Sequence, residues 1–136
     1  MDKSGRQGDG SRQESNHKLA LAEDKFRAGA WAEAENHIRA AIAIDPKNHR
    51  AHNDLGVLLH SQNKTESALK SIHLALSLNA EYTDAALNCA EILLTQGRHE
   101  ERNSFLRNYL GKNPKDEEVR DTLMASEELE MRSQNS

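Results

Sequence analysis

An all-α fold built from antiparallel helix pairs is predicted for this chain by three observations. Leu55-Gly56, Ala68 and Ala75 recur 34 residues upstream as Leu21-Ala22, Ala34 and Ala41. The same shift downstream lands on Cys89-Ala90, Arg102 and Tyr109, and the only two prolines, Pro46 and Pro114, lie 68 residues apart, two such periods. Between these marks the apolar residues take helical spacing. A fixed period with small residues at set offsets is the signature of helix-turn-helix units that stack and bury one another's apolar faces.

Taken in order, residues 1–14 hold Gly, Ser, Gln and balanced charge with no apolar residue after Met1. They are expected to be a disordered tail, because they bury too little surface to offset the entropy of ordering. From Ser15, Leu19, Leu21, Ala22 and Phe26 predict a first helix, interrupted at Gly29 by a tight turn. A second helix from about Trp31 carries Ala34, Ile38, Ala41, Ile42 and Ile44. It stops at Asp45-Pro46-Lys47-Asn48, where Asn48 can cap the next helix. The second pair runs from His49 to Gln62 and from Thr65 to about Asn79, around a turn at Asn63-Lys64, with Ala80 in the proline position.

The third pair starts near Thr83, sets Ala85, Ala86, Cys89, Ala90 and Leu93 on its apolar side, turns at Gly97, and continues through Phe105, Leu106, Tyr109 and Leu110. Gly111 to Pro114 ends it. A last helix from Asp116 to about Met131 opens on Asp116, Glu117 and Glu118, which suit a helix N-terminus by capping and by the macrodipole. Its Val119, Leu123 and Met124 match first-helix core positions, so it caps the last apolar face as half a unit. The expected units are about 15–48, 49–82 and 83–116, then a capping helix over 117–131 and a disordered end over 132–136.

Composition narrows the function. Eighteen Lys plus Arg against 22 Asp plus Glu leave a net charge of −4, which argues against a nucleic-acid partner. No apolar run is long enough to span a bilayer or to form a signal peptide, so no membrane insertion is expected. One cysteine permits no intrachain disulfide, and the cytoplasm is the default location. Cys89 is expected to be a buried thiol acting as a small hydrophobe. His49 and His52 stand three residues apart, but no partner completes a metal-ligand set. No phosphate loop and no catalytic constellation stands out, so neither an enzymatic activity nor a cofactor is expected.

Together these residues resemble the tetratricopeptide repeat family, through Leu55, Gly56, Ala68, Ile72 and Ala75 in the second unit and Leu21, Ala22, Ala34, Ile38, Ala41 and Pro46 in the first. The third unit departs at Arg102 and Tyr109, both bulky where the family carries alanine, so its second helix is expected to be rotated, splayed or packed differently on the cap. The resemblance implies a right-handed superhelix of helix pairs and a concave groove that holds peptides.

A second stripe on each first helix, turned away from the Leu-small pair, would line that groove. It comprises Leu19, Glu23, Phe26 and the adjacent Arg27 in the first unit; Arg50, Asn53, Val57 and His60 in the second; Asp84, Leu87, Asn88, Glu91 and Leu94 in the third; and Asp121 in the cap. The alternative is that some of these leucines complete the core and the acids form a solvated face. Family members that clamp the C-terminal carboxylate of chaperones use Lys, Arg and Asn in the groove. Leu19 and Glu23 stand where the first repeat of such clamps has Lys and Asn, which disfavours that ligand. The expected function is a non-enzymatic protein-interaction module, an adaptor or scaffold, for a peptide or helical segment of basic, amphipathic character. A three-repeat secretion or assembly chaperone, self-association, and a regulatory module of a larger enzyme are the alternatives.

Overall fold

The computed structural model describes the backbone of residues 3–135 and the side chains of residues 10–135. Seven α-helices and no strand lie among the described residues: α1 Lys3–Arg27, α2 Trp31–Ile44, α3 His49–Ser61, α4 Thr65–Leu78, α5 Thr83–Thr95, α6 His99–Lys112 and α7 Glu117–Asn135. Each helix pair turns on a left-handed residue, Gly29 (φ 78°), Asn63 (φ 62°) and Gly97 (φ 69°), spaced at the sequence period. Only Gly, and to a lesser degree Asn, adopts this backbone at low cost. The chain divides into two compact units between Asn79 and Ala80, with α1 to α4 in the first and α5 to α7 in the second.

In the first unit α1 packs along α2, α3 along α4, and α2 against α3. Ala22, Ala34, Ile38, Ala41, Leu55, Ala68, Ile72 and Ala75 are all buried, as their register predicts. A Cβ placed on Gly56 would stand 2.5 Å from Ile72 Cγ1 and 3.0 Å from the Ala68 carbonyl oxygen. Helices α3 and α4 therefore approach too closely there for any side chain. Asn48 caps α3 by accepting from the Ala51 N–H at 3.3 Å. Its Nδ2 donates to Ser15 Oγ at 2.9 Å, and that hydroxyl donates to the Ala41 carbonyl at 2.7 Å, so one buried polar cluster ties α1, α2 and α3.

In the second unit Ala85, Ala86, Cys89, Ala90, Leu93, Leu106 and Val119 form the core. Burial pushes the Cys89 thiol up to about 12, with Glu101 adding to the shift. Helix α6 lies on α5 far less extensively than α2 lies on α1 or α4 on α3, and it packs at least as much on α7. The bulk of Arg102 and Tyr109 accounts for this, since both are buried where alanines stand in the other pairs. Asp116 caps α7 by accepting from the Val119 N–H at 3.1 Å and accepts from Thr83 Oγ1 at 2.6 Å.

Three expectations need correction. Helix α1 begins at Lys3, although the sequence predicts no fixed structure before Ser15; among the described side chains the first buried one is Ser15. Continuation of the helical backbone ahead of a packed turn accounts for the added residues, which bury no core surface from residue 10 to Glu14. Helix α7 continues to Asn135 rather than stopping near Met131, because no Gly or Pro interrupts it and Arg132 pairs with Glu128 at 2.7 Å one turn back. Met124 is 63% exposed, not a core residue, whereas Val119 is fully buried. Among the described residues no element covers that side of α7. The parts of the expected tails at Met1, Asp2 and Ser136 lie outside the described residues.

Candidate functional site

The stripe predicted on the first helices falls into two sets, one in each unit. In the first unit Leu19 is fully buried and Asn53, one period on, is 4% exposed, so both belong to the interior rather than to an open groove. A helix packed on both sides buries an arc wider than one Leu-small pair, and this position falls inside it. Glu23 and Arg50 are brought together, with Arg50 Nη2 donating to Glu23 Oε1 at 3.3 Å between α1 and α3. Phe26 is half-buried, its ring meeting Trp31 edge-on with centroids 4.6 Å apart, and Arg27 is exposed and paired with Asp24 at 3.2 Å. Val57 and His60 are half-buried, and among the described residues His60 Nδ1 is enclosed without a hydrogen-bond partner.

In the second unit Asp84, Glu91, Leu94 and Asp121 are exposed, while Leu87 and Asn88 are half-buried. Leu87, Glu91 and Leu94 line one cavity of about 290 Å³, together with Ala90, Arg102, Thr122, Ala125, Ser126 and Leu129. It is bounded by α5, α6 and α7 and is mostly apolar.

Sequence reasoning missed what lies behind this cavity. Arg102 is 2% exposed. Its Nε donates to Ser126 Oγ and its Nη2 to the Ser126 carbonyl at 3.1 Å. The Ser126 hydroxyl donates to Asn103 Oδ1, and Asn103 Nδ2 donates to Glu130 Oε2. Arg102 Nη1 has no hydrogen-bond partner among the described residues. Burial lowers the guanidinium's proton affinity, and Glu130 partly offsets this through space. The signal available in the sequence was Arg102 itself, a charged residue in an alanine slot, and Ala125-Ser126, small residues on the capping helix that leave room for it.

Residues 19–76 match the model of the tetratricopeptide repeat family, a span that ends before the atypical third unit. Solved structures of this architecture agree in fold over most of the chain. The first such repeat domain of RPAP3, bound to the HSP90 peptide SRMEEVD, superposes with a TM-score of 0.73 at 19% identity, covering 87% of this chain and 96% of that one. Residues 19–76 of the chain carry tetratricopeptide repeats. The chain's seven described helices fit three of them plus a capping helix. The type III secretion chaperone SycD of Yersinia enterocolitica, in complex with a peptide of the translocator YopD, gives a TM-score of 0.71 at 18% identity over 85% of this chain and 93% of that one. Among curated sequences, human DnaJ homolog subfamily C member 3 is 28% identical over 120 residues, 85% of this chain. The repeats span only about a quarter of that relative's length, 24%. Among the described residues no group of side chains is arranged to hold a metal ion, and no helix is long and apolar enough to cross a membrane.

Proposed function

We propose that this chain is a non-enzymatic protein-interaction module that holds a peptide or helical segment of a partner on the faces of its first helices. The observation that carries this is the grouping of Leu87 and Leu94 with Glu91 around one cavity, with exposed Asp84 one turn before Leu87 on α5 and exposed Asp121 one turn before Ala125 on α7. Apolar side chains left open beside exposed acids suit a segment that pairs apolar anchors with Lys or Arg. Two repeat domains of like fold were solved with peptides bound, which supports the same use here. In the first unit Phe26, Val57 and the Glu23–Arg50 pair remain candidate contacts, while buried Leu19 and Asn53 act by supporting them.

Two double variants test this on a partner captured from the source lysate. Phe26→Ala with Leu94→Ala should weaken binding at every salt concentration. Glu91→Lys with Asp121→Lys should weaken it mainly at low salt, because exposed charge pairs are worth about 0–1 kcal/mol each and are screened. A partner that binds both variants as tightly as wild type would move the site elsewhere. The likeness to SycD also supports an assembly-chaperone role, in which capture returns one dominant client. A reducing, cytoplasmic location fits the single buried cysteine.

A further inference from the structure

We propose that the α5–α6–α7 cavity receives the carboxylate of a glutamate side chain from the bound segment, with Arg102 as its partner. This rests on the peptide-binding reading of that face and adds the identity of one anchor. Arg102 forms part of the cavity wall, and its hydrogen bonds among the described residues go to neutral acceptors on Ser126. A guanidinium cannot shed its proton to escape burial, and a buried charge without an opposite charge bonded to it is costly. Glu130 is engaged by Asn103 and acts on Arg102 through space. Glu91 lines the same cavity but is exposed, where water screens it. Nη1 therefore remains an enclosed donor with an unmet need for an anion.

The walls decide which carboxylate. Leu87, Leu94, Ala125 and Leu129 offer no hydrogen bonds from their side chains, the Thr122 and Ser126 hydroxyls in the wall are engaged with the Glu118 carbonyl and with Arg102 and Asn103, and at about 290 Å³ the space is that of a side chain, not of a helix. A C-terminal carboxylate sits directly on the backbone and would carry its own amide into these apolar walls unpaired. A glutamate enters with two methylenes against the leucines and its charge at the far end. Glu91 in the wall, and exposed Asp84 and Asp121 within one turn of the lining residues Leu87 and Ala125, favour lysines on either side of that glutamate.

The test is an NMR titration of the full chain with acetyl-Lys-Glu-Lys-amide, its Gln and Asp analogues, and acetyl-Lys-Gln-Lys with a free C-terminus, each up to about 10 mM, where millimolar binding is measurable. The Glu peptide should shift the amides of Leu87, Leu94 and Ala125 and the Arg102 side-chain Nε–H signal. It should bind about tenfold tighter than the Gln analogue, the scale of one charge-assisted hydrogen bond. Arg102→Met should abolish that preference, and a thermal melt of the variant checks that it is folded; Arg102→Lys, which keeps the charge, should retain part of it. Equal binding of the Glu and Gln peptides at the same amides would overturn the carboxylate pocket and leave the binding face standing. Tighter binding of the free C-terminus would overturn the side-chain assignment. No shifts from any probe would overturn the pocket, and the captured-partner variants above would still judge the face.

Discussion

Arg102 Nη2 donates to the carbonyl oxygen of Ser126 at 3.1 Å, and this bond fastens α6 to the capping helix where the other helix pairs use alanine. The third repeat has exchanged close helix contact within its own hairpin for a polar tie to α7. That exchange explains how a charged residue in an alanine slot is compatible with the repeat fold.

Arg102→Met should leave stability unchanged or raise it. A buried charge held only by neutral acceptors has a desolvation cost that an apolar chain of similar length avoids, and such replacements are often neutral or stabilising by about 1–4 kcal/mol. Ser126 retains its bond to Asn103 in the variant. A urea midpoint lowered by more than the equivalent of about 1 kcal/mol would show that the guanidinium is a net stabiliser.

Gly56→Leu should destabilise the first unit by about 1–3 kcal/mol or more, the usual range for overpacking. The added Cβ alone meets Ile72 Cγ1 at 2.5 Å, and the Ala68 carbonyl on the same side cannot move without shifting α4. Ile72→Ala, which removes both Cγ1 and Cδ1, should cost less in the Gly56→Ala background than in the wild type. An unchanged denaturation midpoint for Gly56→Leu would disprove the close approach.

Cys89 should resist thiol reagents in the native state. It is fully buried, and burial raises its thiol to about 12, so almost none is thiolate at neutral pH. Labelling should proceed at the rate of opening and accelerate in mild denaturant. Immediate reaction with a disulfide reagent in native buffer is the contrary result.

Asp116 links the capping helix to pH. Burial alone would raise its carboxyl, but hydrogen bonds from Thr83, from the Val119 N–H and from Tyr109 outweigh it and hold the group below its usual value of 3.8. Because the folded value is the lower one, its contribution is full above the unfolded value and is lost as pH falls through the folded one. Stability should therefore drop on acidification below about pH 4, and Asp116→Ala should flatten that drop while costing about 1 kcal/mol at neutral pH through loss of the cap. An identical acid limb in Asp116→Ala would exclude this role.

Helix positions, turn residues and the alanine slots were legible in the sequence because each is a local property. A left-handed turn selects Gly29, Asn63 and Gly97 wherever the chain packs, a capping side chain bonds its own first turn, and a helix of fixed pitch repeats its buried face at fixed offsets. The burial of Leu19 and Asn53 was not legible for the opposite reason. Whether a half-turn of helix faces solvent or a neighbour depends on a second helix many residues away, and here it is enclosed. The same holds for the cavity. Arg102 was visible as an exception, but its bonds to Ser126, the chain through Asn103 to Glu130, and the meeting of α5 with α7 around Leu87 and Leu94 join residues more than 20 positions apart. Periodicity determined which residues could pack; only the tertiary structure decided which of them met, because burial and pairing depend on distances that no single helix sets.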